Sequence, residues 1–134
     1  MKLMAKFAAF VGVAITMMAA PVWAQGLRAV APLQGYSCMS LNLTEDEMQQ
    51  ESSLPIIRRE PSPSAAPIGR ASAQVIVADP IQRNNGYVAV LTLDGKPGWV
   101  EANKVKPYRS VSNPNARCIP SMMSNGQPGF GFQR

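Results

Sequence analysis

A chain of 134 residues with 13 basic and 8 acidic side chains, two cysteines and no histidine is long enough for one small domain. Without histidine the Ser-His and Cys-His nucleophilic arrangements are closed to it, and two cysteines alone do not complete a zinc shell. The basic residues are scattered, with Arg58-Arg59 as an adjacent pair and Lys104, Lys106 and Arg109 as a loose second group, not gathered with aromatics as nucleic-acid binding needs. The expectation is a non-enzyme with no catalytic residues, no metal, no cofactor and no nucleic-acid partner.

The chain opens on Lys2 and Lys6 followed by the uncharged apolar run Phe7 to Ala20. Pro21 then breaks any helix, and Val22 and Ala24 stand at the −3 and −1 positions of a cleavage site. A permanent membrane span needs about 20 apolar residues, so residues 1–24 read as a signal peptide, with an uncleaved anchor as the competing reading. Cys38 lies far beyond the apolar run, and "GYSC" lacks the aliphatic residue expected before a lipidated cysteine. The expected location is therefore periplasmic or secreted, with no integral membrane span after cleavage. Without Lys2 and Lys6 the basic excess falls from five to three.

In an oxidising compartment the even cysteine count predicts one disulfide, Cys38–Cys118, with two free thiols as the alternative. Closing a loop of about 80 residues contributes about 4 to 5 kcal/mol in the chain-entropy account.

Residues 25–53 read as an N-terminal extension. "QGLRAVAPLQGYS" carries Gly and Pro without a period and is expected to be an extended lead-in. In "LTEDEMQQE", Thr44 and Glu47 have capping-box spacing, and Glu45, Asp46 and Glu47 fill a first helical turn. One to two turns of helix are predicted there. Those three consecutive carboxylates suit a cap better than a paired-carboxylate active site.

From Leu54 the pattern changes. "LPIIRRE" (residues 54–60) is strand-like, and "PSPSAAP" is too proline-dense for a helix or a central strand. "SAQVIVA", "YVAVLTL" and "WVEANKV" read as strands, separated by the turn signals "NNG" and "DGKPG". Short strands with turns between them and no room for long helices predict an all-β fold. The expected architecture is a small five-stranded antiparallel barrel over residues 54–108, with N- and C-terminal extensions and one short helix. Residues 109–134 form the C-terminal extension, of which "SNGQPGFGFQR" reads as a loose, partly disordered tail.

Residues 54–108 resemble the bacterial SH3 domain, an SH3-like barrel found in exported proteins. "LPIIRREPSPSAAPIG" is similar to its opening strand and loop, "GYVAV" to its central strand, "DGKPGWV" to its turn and Gly-Trp-Val strand, and "NKVKPY" to its exit. Tyr87 stands where the family often has Trp, Ala89 where a polar residue is usual, and both cysteines lie outside the family's core. The resemblance implies a binding module whose aromatic surface recognises a cell-wall peptide (peptidoglycan) or a periplasmic protein or peptide. Tyr87, Trp99 and Tyr108 are then candidate contacts, with Arg58 and Arg59 as carboxylate partners. A structural or assembly subunit of a periplasmic complex, with no small ligand, is the alternative.

The period of two in a strand puts Val88 and Val90 on one face and Tyr87 and Ala89 on the other. With Val100 inward, Trp99 falls on the Tyr87 side, and the two rings are expected to lie together across the hairpin. The competing reading makes both rings partly buried scaffold.

Overall fold

The structure is a computed structural model of the chain and describes residues 11–14, 26–110 and 112–133. Apart from 11–14, the expected signal peptide lies outside the described residues. In chain order the strands are β1 (Ala29–Pro32), β2 (Tyr36–Leu41), β3 (Ile56–Arg58), β4 (Pro67–Arg70), β5 (Gln74–Ala78) and β6 (Arg83–Asn84). They continue with β7 (Tyr87–Leu91), β8 (Pro97–Glu101), β9 (Val105–Pro107), β10 (Arg117–Met123) and β11 (Pro128–Gln133). A short helix, α1 (Glu45–Met48), follows β2, and single 3₁₀ turns occupy Glu51–Ser53 and Ala102–Lys104. The protein is all-β. None of its described helices is long and apolar enough to cross a membrane.

The strands form two antiparallel sheets. The larger runs β4-β3-β8-β7-β5-β2-β9, with β6 paired to β7, and the smaller runs β1-β10-β11. This corrects the closed five-stranded barrel expected over residues 54–108: the sheets are open. The reason is β2, which comes from outside that range and pairs with both β5 and β9, from Tyr36 opposite Ala78 to Leu41 opposite Val105. β4 and β9 then remain terminal strands and the path does not return on itself.

Local chemistry explains most of the connections. Asn85 and Gly86 have φ of 52° and 81°, the left-handed pair a tight hairpin turn needs and that Asn-Gly supplies at least cost. In α1, the Thr44 hydroxyl accepts from the Glu47 N–H at 3.2 Å, and the Thr44 N–H donates to the Glu47 carboxylate at 3.2 Å. The capping box forms as the spacing predicts.

The core fills from one face of the large sheet. Val77 and Val100 are fully buried, and Leu41, Ile57, Val75, Val88, Val90 and Val105 pack with them. At Gly98 a side chain would have no room: a Cβ there would lie 2.5 Å from Ile57 Cγ2 and 3.2 Å from the Arg58 carbonyl oxygen. That glycine lets β8 lie flat against β3 and brings Trp99 into register.

The expected loose tail is instead a hairpin. β10 pairs β11 from Arg117 opposite Gln133 to Met122 opposite Pro128. Asn125-Gly126 turns it, with Gly126 at φ 79°, the Gly126 N–H donating to the Met123 carbonyl at 2.9 Å and the Met123 N–H to the Gln127 carbonyl at 2.9 Å. The lead-in before Cys38 supplies β1, which completes the small sheet.

Candidate functional site

The candidate site is built on the face of β3, β8 and β7 that points away from the valine core. Register places Arg58 opposite Trp99, Trp99 opposite Ala89, and Glu101 opposite Tyr87. Directly opposed residues share a face, so Arg58, Trp99, Glu101 and Tyr87 rise from the same side. The β7–β8 turn fixes this register. Thr92 donates its hydroxyl to Asp94 and accepts the Lys96 N–H at 2.9 Å, and the Thr92 N–H reaches the Lys96 carbonyl at 2.8 Å. The Thr92 hydroxyl holds the Asp94 carboxyl below its usual range, with Lys96 adding to the effect.

Beside this row lies a cleft of about 240 Å³ whose lining includes Arg58, Arg70, Lys104, Glu101 and Tyr87. Both guanidinium groups are aimed by backbone carbonyls. Arg58 Nη1 donates to the Ala65 oxygen at 2.9 Å, and Arg70 Nη1 donates to the Leu54 oxygen at 2.8 Å. Each guanidinium has five donors, so both keep donors for another acceptor. Among the described residues the ion pair is Asp94–Lys96, at 3.4 Å; Arg58, Arg70 and Lys104 make none. Three cations facing one carboxylate, Glu101, leave the cleft with an excess of positive charge. Carbonyl-anchored guanidinium groups suit planar, two-point recognition of a carboxylate.

The residues singled out in the sequence separate into two groups. Arg58, Trp99 and Tyr87 are brought to this face, with Trp99 half-buried and Tyr87 only 5% exposed. Their rings share a side but stand two register positions apart, and among the described residues the aromatic pair is a different one. Tyr108 and Phe132 have ring centroids 6.2 Å apart at 46°. Tyr108 lines another cleft, with Cys38, Cys118 and Arg117, and so stands away from Trp99. Arg59 is exposed and does not line the cationic cleft; its N–H donates to the Ala66 carbonyl at 2.9 Å.

Arg70, Lys104 and Glu101 were not singled out by sequence reasoning. Arg70 lies in "PIGR", which reads as the end of a proline-rich loop yet forms edge strand β4. Lys104 arrives through the 3₁₀ turn Ala102–Lys104, which interrupts the strand expected to run on to Val105. The alternation of Trp99 and Glu101 along one strand was the one signal available for Glu101.

The disulfide is present: Cys38 and Cys118 are bonded, with Cα atoms 5.9 Å apart. Such a bond is consistent with an oxidising, extracellular environment. Comparison of the chain with protein-family models, with curated proteins and with solved structures finds no match.

Proposed function

We propose that this chain is an exported, non-catalytic binding module of SH3-like type, in an open rather than closed arrangement. It holds an extended peptide of the cell wall or of another periplasmic protein against the Arg58–Trp99 face. The observation that carries the reading is the convergence of Arg58, Arg70 and Lys104 on one cleft beside a half-buried Trp. An aromatic plane for the body of a peptide next to fixed donors for a carboxylate is the pairing that peptide recognition uses.

The test is co-sedimentation of the purified chain with isolated peptidoglycan and, separately, capture of periplasmic peptides. Arg58→Gln with Trp99→Ala is expected to abolish retention while the far-ultraviolet circular dichroism is unchanged. Full retention by that folded double variant would eliminate the reading.

A second reading, an assembly subunit, draws on the small sheet. Leu27, Val30 and Phe132 are 66%, 62% and 58% exposed, and all three lie on or beside β1 and β11. Crosslinking in intact cells distinguishes the two: stoichiometric recovery of one protein through β1 or β11 favours assembly, and recovery of wall fragments through Arg58 favours the module.

A further inference from the structure

β4 ends the large sheet. β3 pairs one of its edges, and among the described residues no strand pairs the other. Successive register pairs between β3 and β4 point to opposite faces, and here they open onto two clefts of contrasting chemistry. Ile56 and its partner Arg70 line the cationic cleft, whereas Ile57 and its partner Gly69 line a larger one of about 450 Å³. The larger cleft has Ile57, Ile68, Leu91 and Leu93 in its lining, with Phe130 of β11 reaching in from the small sheet. Arg70, at the end of β4, borders both clefts.

The edge itself is open. Pro67, Gly69 and Arg70 are exposed, and a Cβ on Gly69 would meet nothing within 4 Å. A peptide that hydrogen-bonds along a free sheet edge turns its successive side chains to alternate faces. Along β4, every other residue of such a peptide faces Arg58, Arg70 and Lys104, and the residues between face the apolar cleft beneath Phe130.

We infer that the free edge of β4 is a strand-addition site for an extended peptide in which acidic and apolar residues alternate. The acidic side chains enter the cationic cleft and the apolar ones enter the cleft between the sheets. This rests on the peptide-binding reading above for the cationic cleft that it shares, names what the peptide carries, and sets the peptide's backbone along β4, two strands from Trp99. Charge decides against a second copy of the chain as the occupant: pairing two β4 edges sets Arg58, Arg70 and Lys104 of one copy against the same cations of the other.

The experiment titrates the purified chain into a fluorescent octapeptide of alternating Leu and Glu. Two controls accompany it: a block peptide of the same composition, with four Leu followed by four Glu, and an alternating peptide N-methylated at every second amide. The alternating peptide is expected to bind at least about tenfold tighter than either control. Gly69→Leu, which fills the apolar cleft from an open position, and Arg70→Glu are each expected to weaken it about tenfold or more, and added salt to weaken it further. Equal binding of the alternating and block peptides, equal binding of the N-methylated peptide, absence of binding, or indifference of the folded Gly69→Leu chain would each overturn the proposal. The N-methylated arm needs no variant and decides the matter if Gly69→Leu fails to fold. Retention on peptidoglycan that depends on Arg58 but comes with no octapeptide binding removes strand addition and keeps the peptide-binding face. Loss of both removes both.

Discussion

Cys38 and Cys118 are bonded across 80 residues and join the two sheets, since Cys38 lies on β2 inside the large sheet and Cys118 on β10 at the centre of the small one. Cys118 also stands opposite Phe132, whose ring meets Tyr108 just beyond β9. A covalent link and an aromatic contact therefore hold the small sheet at one corner of the large one.

Removing that link should loosen the whole fold. The double variant Cys38→Ser/Cys118→Ser is expected to lose about 4 kcal/mol of stability in the chain-entropy account, read from denaturant unfolding. Non-reducing mass spectrometry of the unmodified chain should show one cross-linked peptide pair. Two alkylatable thiols in the native protein would contradict the structure.

Gly98→Ala is expected to destabilise by about 1 to 3 kcal/mol, the usual cost of overpacking, because its Cβ collides with Ile57 Cγ2 and Ile68 Cδ1. Ile57→Ala removes one of those atoms and carries its own cavity cost. In a double-mutant cycle the combined loss should fall short of the sum of the two. Additive losses would mean the two residues do not meet.

The Thr44 backbone N–H and hydroxyl hold the Glu47 carboxyl below its usual range, with Lys104 helping. A carboxyl lowered on folding contributes stability that is complete above its unfolded value, about 4.3, and disappears as the pH falls through the lower folded value. Thr44→Ala keeps the backbone N–H, the larger cause, and removes only the hydroxyl, so the Glu47 titration, followed by nuclear magnetic resonance, should move part of the way toward the ordinary carboxylate range. An unmoved midpoint would mean that the Thr44 hydroxyl does not reach the Glu47 carboxylate in solution.

The two aromatics of the candidate site should behave differently. Tyr87, only 5% exposed, is expected to cost about 3 kcal/mol or more when replaced by Ala, so its binding effect is inseparable from unfolding. Trp99 is half-buried, and Trp99→Ala should cost less stability and more peptide retention. Thermal unfolding and sedimentation of the two variants side by side check this; the reverse order would make Trp99 the scaffold residue.

Much of the fold was legible because it depends on local chemistry. The capping box at Thr44, the turn at Asn85-Gly86 and the alternation of Val88 and Val90 were all readable from their own neighbourhoods. Trp99 and Tyr87 reach one face because alternation and hairpin register follow from the chain over a dozen residues, whereas Arg58 joins them through the pairing of β3 with β8, distant in the chain. The Asn125-Gly126 turn carried the same signal as Asn85-Gly86, but glycines at 129 and 131 masked the strand after it. Those glycines serve packing: Met123 folds over Gly129, and a Cβ on Gly131 would sit 3.1 Å from the Ala29 Cβ.

Other features depend on partners far along the chain. β2 contains Tyr36, Ser37, Cys38 and Ser40, a weakly patterned run whose strand character comes from β5 and β9 on either side of it. That pairing opened the expected barrel and moved the sheet's beginning from Leu54 to Tyr36. Tyr108 parted from Trp99 for the same kind of reason, drawn toward Phe132 and the disulfide. The third cation of the cleft, Lys104, is set by a 3₁₀ turn that no period in the sequence announces.

From its residues alone the chain determined an all-β class, its cap, its tight turns and the inward valines, because nearest-neighbour sterics and a two-residue period act within a few residues. Tertiary structure alone decided that the large sheet stays open, that residues 124–133 become the turn and outer strand of a hairpin whose other strand, β10, pairs β1, and that Arg70 and Lys104 join Arg58. Those outcomes are set by pairing between segments distant in the chain, where the gain comes from surfaces that exist only once the other strands are in place.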